Sequence, residues 1–443
     1  MTTNAEIEFE IAQWLDTKPI DGIADELSAS LGLTARDGRS TYHLFQVYDE
    51  LKNSVSPNVH LSAYSVAVWI LTNWWRLRWE PYRTDSDTWE HAHSLASIGN
   101  GFAWPPLTIC GDGEFIQLNM APELSADVAA VRYLRGEFTF ELPAANFESA
   151  IDRFVQSVRK RLVEVGTCSD DLDELIKELD HERADPKLSL ICRLQALAGM
   201  DPGDASDEWF ETVQELTKLT GPKAITEIMA TLPAFHGDLE AASMAIRMIR
   251  DSNITMRMPS FDIDVNPSPV AEEIPWRRGA RYAQVLREHL GLSPGASISN
   301  GKLSEFLGTS LPFPSKSLIP KGPLTGGVRK SDSKGLISVG VSTPNPASQR
   351  FHAARIVGSA TLDHSSQVFA VTKERTSMQK FQRAFAQEFL CPWSALDAFT
   401  DDKGVDEDAI EQAAEHFGVS DYVVRYALVN HNKLDWTRIG FAA

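Results

Sequence analysis

Cysteine is scarce in this chain of 443 residues: Cys110, Cys168, Cys192 and Cys391 stand far apart, and none belongs to a C-x-x-C pair. That spacing argues against a disulfide framework and against a cysteine zinc site, and leaves buried thiols in a reducing compartment as the expectation. No G-x-x-x-x-G-K-[ST], G-x-G-x-x-G after a strand, G-x-S-x-G or H-E-x-x-H occurs. The devices by which such motifs cradle phosphates, expose a nucleophilic serine or bind zinc are therefore missing in their usual form. Long apolar runs are also lacking. The most apolar stretch, Tyr64 to Trp79, is broken by Asn73, Arg76 and Arg78, too short and polar to span a bilayer. Met1 to Glu10 is acidic and has no leader-like apolar region. A cytoplasmic protein without a membrane segment is the expectation. The net charge of −19 disfavours nonspecific binding to phosphate backbones, so direct nucleic-acid binding is not the leading reading.

What is present divides into three expected regions of a helix-rich α+β chain. Residues 1–145 read as a mixed α/β domain rich in tryptophan. Ile7, Phe9 and Ile11 alternate with polar neighbours as in a strand, and Leu61 to Trp79 reads as one helix with Ser62 as N-cap and Pro81 as stop. Two alternating runs, around Val131–Tyr133 and Phe138–Leu142, are split at Gly136. Seven of the eleven tryptophans fall by position 104. A large aromatic core accounts for them simply. The alternative is a partner-binding surface, for which Trp74, Trp75, Arg76 and Arg78 are the candidates, because Trp and Arg dominate interface hot spots and one helix face cannot bury them all.

Residues 146–270 read as a helical connector, with Phe147, Ile151, Phe154, Val155, Val158 and Leu162 as its first stripe. Pro259 to Pro275 looks like a linker, and Leu311 to Lys334 like an irregular loop. His91 and His93, two apart on a helical pattern, point about 160° apart, which fits a core or surface histidine better than a metal pair.

From Arg278 onward the order of features is specific. A helix with Tyr282, Val285, Leu286 and Leu290 on one face ends at Gly291. A short helix, Gly301 to Leu307, closes on Gly308. A strand, Leu336 to Val341, a turn with Pro344 and Pro346, and Arg350-Phe351 lead into a helix that runs to Leu362. Next comes Phe385-Ala386-Gln387-Glu388-Phe389-Leu390-Cys391-Pro392, and Asp406 to Leu428 closes as a helix pair about Gly418. This order resembles the ImmA/IrrE family of bacterial zinc metallopeptidases, over residues 275–443. The resemblance implies a zincin-like fold, with H-E-x-x-H on the helix that follows Arg350-Phe351. Histidines at i and i+4 share a helix face and hold one zinc, and the glutamate takes a proton from its water. The corresponding positions here read Arg355, Ile356, Val357, Gly358 and Ser359, and the expected third-ligand region reads Gln379, Lys380, Phe381 and Gln382. What the resemblance implies here is a retained shell without the metal chemistry.

The resemblance thus implies a noncatalytic regulatory or scaffold protein of a bacterial phage-defence or stress-response system. It would have no cofactor and would bind a ligand or protein partner in the former peptidase cleft near Arg355, Ser359, Gln379, Arg383 and Glu388, with self-association left open. Two alternatives stand beside it. One is an enzyme, for instance with a metal on a relocated set, His352, Asp363 and His364. The other is a DNA-binding regulator using the closing helix pair.

Overall fold

In the computed structural model, the alternation near the N-terminus becomes strand β1 (Glu6–Trp14), with Ile7 and Phe9 buried and the glutamates between them exposed. The structure describes residues 5–15, 27–38, 40–83, 87–120, 130–134, 136–166, 170–258, 273–330, 335–363, 365–403 and 405–435. It is a helix-rich α+β architecture. The chain divides into two compact units, Met1–Ala205 and Ser206–Ala443. The helices expected to form a connector at 146–270 are shared between these units.

In the first unit β2 (Ser28–Asp37) pairs with β1, β3 (Ser40–His43) and β6 (Asn58–Ser62), all antiparallel. Between β3 and β6, β4 (Val47–Asp49) and β5 (Ser54–Ser56) form a hairpin. The region read as one helix is two: α1 (Ala63–Thr72), capped by Ser62, and α2 (Trp74–Trp79). The break falls at Asn73, whose side-chain Nδ2 donates to the Trp69 carbonyl at 2.9 Å and so competes with its own backbone N–H for that oxygen. The chain continues through α3 (Asp87–His93), β7 (Leu107–Gly111), β8 (Phe115–Met120), β9 (Val131–Tyr133) and β10 (Phe138–Pro143). β9 joins the β4–β5 hairpin, while β10 pairs with β8, so the two runs split at Gly136 serve different sheets. Helix α4 (Ala144–Val165) lays its Phe147–Leu162 stripe into the core and stops at Gly166, which holds φ 74° in the left-handed region. Helices α5 (Asp170–Ala184) and α6 (Pro186–Leu197), the latter capped by Asp185, complete the unit.

The second unit begins with α7 (Asp207–Thr220), α8 (Ala224–Thr231) and α9 (Leu239–Arg250). Strand β11 (Thr255–Arg257) follows. Of the expected linker, residues 259–272 lie outside the described ones, and Pro275 is the first residue of α10 (Pro275–His289). After α11 (Asn300–Leu307), the stretch read as an irregular loop contains a strand, β12 (Thr325–Arg329). Its glycines hid it. A Cβ on Gly326 would sit 2.1 Å from the Phe369 carbonyl oxygen, and one on Gly327 would sit 2.7 Å from Ile337. With β13 (Leu336–Gly340), α12 (Pro346–Leu362) and β14 (Val368–Val371), the antiparallel sheet is ordered β11–β13–β12–β14.

Helix α13 (Ser377–Leu390) is central. It packs on α10, where Gly279 leaves no room for a Cβ against the Phe381 carbonyl, and on α12, where Gly358 meets the Phe385 ring. Phe381, Phe385 and Phe389 stack along it, fully buried. Burying such a ring contributes about 1.5–3 kcal/mol. Helices α14 (Trp393–Lys403), α15 (Glu407–Phe417) and α16 (Asp421–Asn430) close the unit. No helix among the described residues is long and apolar enough to cross a membrane.

Candidate functional site

The tryptophan–arginine segment of α2 points inward. Trp74 stacks on Phe147 at 6.1 Å, with the Arg183 guanidinium 3.8 Å from its centroid. Trp75 donates from Nε1 to Glu182 at 2.6 Å. Arg78 is held by Glu148 at 2.6 Å and by the Gly113 carbonyl at 3.0 Å. Trp74, Trp75 and Arg76 are buried and Arg78 is nearly so. The aromatic-core reading therefore describes Trp74 and Trp75, and the alternative of a partner surface on this segment is corrected: its side chains are buried or nearly so and are bonded within the unit.

Arg76 enters a buried charge centre that the sequence did not announce. Its Nε donates to Glu80 Oε2 at 2.7 Å, and the same oxygen lies 3.0 Å from His93 Nε2. His93 Nδ1 is 2.6 Å from the Ile109 carbonyl oxygen, and its ring stacks on Trp89 at 4.2 Å. Arg83 reaches the other Glu80 oxygen at 3.5 Å. Burial alone would raise the Glu80 carboxyl, but bonding to His93 and Arg76 and their charges outweigh it and hold it below the usual range.

In the second unit, Arg355 and Ser359 on α12 and Gln379 on α13 come together, with Arg383 one turn further along α13. Arg355 Nη2 donates to the Thr372 carbonyl at 2.8 Å and to Gln379 Oε1 at 2.5 Å. Gln379 accepts the Thr372 N–H on that same oxygen and donates from Nε2 to Glu227 Oε2 at 2.7 Å. Thr376, the N-cap of α13, donates its hydroxyl to the same Glu227 oxygen at 2.7 Å. Ser359 accepts from Gln382 Nε2 at 2.7 Å. Arg383 donates to the Glu374 carbonyl at 2.8 Å.

Glu227, on α8, is the residue that sequence reasoning missed. Its one visible signal is a carboxylate inside the apolar run Ile225–Ala230, whose other described side chains are almost all buried. Burial pushes its carboxyl upward, against the bonds from Thr376 and Gln379 and the charges of Arg383 and Arg355. Burial pushes the Arg355 guanidinium down, and neighbouring Arg383 adds to that while Glu227 opposes it. Arg355 Nε and Gln382 Oε1 are buried without a hydrogen-bond partner.

Two expected members of the site do not join it. Glu388 lies nine residues beyond Gln379 on α13, about 13 Å along the axis, where it accepts from Gln284 at 2.9 Å and from the Trp393 N–H at 3.0 Å. The relocated metal set also fails. His352 lies on α12 and Asp363 caps its C-terminal end eleven residues later, about 16 Å along the axis. His352 bonds Thr325 at 3.3 Å, and Asp363 is taken by Ser365, Ser366 and Lys223. His364 lies outside the described residues. Among the described residues no group of three His, Cys, Asp or Glu side chains is placed to hold a metal. The closing helices α15 and α16 form a packed pair, and the cation of α16, Arg425, is paired with Glu407 and Asp421.

Comparison with family models, with curated proteins and with solved structures found no match.

Proposed function

We propose that the chain is a noncatalytic regulatory or scaffold protein whose C-terminal unit keeps a metallopeptidase-like frame and uses the mouth of the former cleft to hold a ligand or partner. One observation carries this reading. At the position where the resemblance puts the first zinc ligand, the Arg355 guanidinium is bound into Thr372 and Gln379, with Glu227 behind them. A guanidinium gives no lone pair to a metal. Gln379, in the expected third-ligand region, spends its oxygen on Arg355 and the Thr372 N–H, and Ile356 at the base position cannot accept a proton. The bacterial defence or stress-response setting rests on the resemblance alone, and the cytoplasmic one on the sparse cysteines and the lack of a membrane-length apolar run.

The test is metal analysis and peptide hydrolysis on the full chain, before and after zinc loading. Substoichiometric zinc and no zinc-dependent cleavage of a diverse peptide library are expected. One tightly bound zinc per chain accompanied by cleavage overturns the reading.

A further inference from the structure

The sequence holds two Asn-Gly dipeptides, Asn100–Gly101 and Asn300–Gly301. Such a pair is chemically labile. Glycine has no side chain to shield its backbone nitrogen, so that nitrogen can reach the asparagine side-chain carbon once the main chain between them rotates. The fold treats the two dipeptides in opposite ways.

Asn100 stands between α3 and β7. Gly99, Asn100 and Gly101 are all exposed, and they hold positive φ of 72°, 57° and 76°. Asparagine is among the few side chains that tolerate this region, and the flanking glycines leave it at little cost. A Cβ on either glycine would meet nothing within 4 Å, so the loop turns in open space. Asn300, in contrast, is the first residue of α11. Ser299 caps that helix and accepts the Lys302 N–H at 3.3 Å. The Asn300 side-chain oxygen accepts from Arg350, whose guanidinium also donates to the Ile298 carbonyl at 2.6 Å. Main chain and side-chain amide are both fixed there. Asn300 must leave the first helical turn before its amide carbon can meet the Gly301 nitrogen.

We infer that Asn100 is a site of spontaneous covalent modification, and that α11 and Arg350 hold Asn300 against the same reaction. In this step the Gly101 nitrogen loses its proton and bonds to Cγ of Asn100. The Cγ–Nδ2 bond breaks and ammonia leaves, giving a cyclic imide. Solvent water opens the ring at either carbonyl. One product is aspartate. The other is an isoaspartyl link, in which the main chain runs through the former side chain. The net change turns an amide and water into a carboxylate and ammonium, with no oxidation or reduction. Each product adds negative charge to the loop. The isoaspartyl product also lengthens the main chain between Gly99, whose carbonyl accepts the Trp104 indole N–H, and Phe102, which packs edge-on against His60 at 5.8 Å. The modification therefore reshapes an aromatic loop of the first unit, independently of the cleft.

Peptide mapping by mass spectrometry tests this on the full chain, aged at neutral and at mildly alkaline pH, in buffer and in denaturant. In the folded chain, conversion at Asn100 is expected to outrun conversion at Asn300 by about tenfold or more, because Asn300 waits on local opening. In denaturant the two rates should converge. Asn100→Gln, whose ring closure is slower, should leave that peptide unmodified. Three results would each overturn the inference: no conversion at Asn100 in the folded chain, equal conversion at Asn300, or a rate ratio that denaturant leaves unchanged.

Discussion

Each unit buries a glutamate among arginines, and the two carboxyls shift in opposite directions. Glu80 touches its partners directly: Arg76 at 2.7 Å and His93 at 3.0 Å share one oxygen. Its carboxyl is held low despite burial. Glu227 touches only neutral donors, the Thr376 hydroxyl and the Gln379 amide, and Arg355 reaches it through the Gln379 side chain. Its carboxyl is pushed up. Similar burial therefore gives opposite outcomes, because charge at contact repays desolvation and charge at one remove does not repay it fully. The first centre is also built locally, from α2 and α3, whereas Glu227 and Gln379 are 152 residues apart. The Glu80 centre is a self-neutralising strut. The Glu227 centre leaves Arg355 Nε unpartnered.

The sharpest way to break this contrast is Glu80→Ala. It takes the Glu80 carboxylate from Arg76 and His93, 6% and 0% exposed, leaving Arg76 with Asp201 at 3.6 Å and the Thr88 carbonyl at 3.3 Å. Removing one member of a buried pair costs about 3–5 kcal/mol. Hydrogen exchange followed by mass spectrometry reads the effect in place. Protection is expected to fall across α2, α3 and β7. Unchanged exchange in those elements would show that the cluster bears no stability.

Glu227→Ala is expected to cost less, about 3 kcal/mol, because the charge of Arg355 keeps the Thr372 carbonyl and the Gln379 oxygen as acceptors. The loss should appear in α8 and at residues 372–379. Glu227→Gln preserves an acceptor for Thr376 and Gln379 and should cost only about 1 kcal/mol. If the Ala and Gln variants lose the same amount, charge and not hydrogen bonding holds the second centre, and the contrast with Glu80 disappears.

The sequence makes half of this comparison legible. Helices α10 and α11 announce themselves through apolar positions and the closing glycines Gly291 and Gly308, while α13 is expected from the resemblance. Spacing relative to the metallopeptidase pattern selects Arg355, Ser359, Gln379 and Arg383, and the fold brings them together. Glu388 is misplaced because proximity in sequence along α13 becomes distance along its axis. Glu227 escapes because nothing local joins α8 to α13; only tertiary packing does. Strand β12 escapes because its glycines, required by Phe369 and Ile337, imitate a loop. The aromatic-core reading holds for Trp74 and Trp75, and the partner-surface alternative fails because amphipathicity assumes one buried face, whereas α2 has buried residues around it.

A pH-dependent effect concerns His352, beside Arg355 in the second centre, which bonds Thr325 where His93 of the first centre bonds a carboxylate. Burial, and then the charge of Arg355, push its imidazole down to about 4. An exposed histidine in the unfolded chain titrates near about 6.5. Between these values the unfolded chain binds a proton that the folded chain refuses, so folding weakens as pH falls from 6.5 and the loss is complete below about 4. The full difference corresponds to at most about 3 kcal/mol, and water reaching the half-buried ring reduces it. Denaturant unfolding from pH 4 to 7, monitored by exchange in α12, should show this slope in the parent and a flatter one in His352→Gln, in which the amide can still bond Thr325. Equal slopes would mean that His352 keeps its proton in the fold, and that Arg355 is better neutralised by Glu227 than the amide-bridged geometry allows.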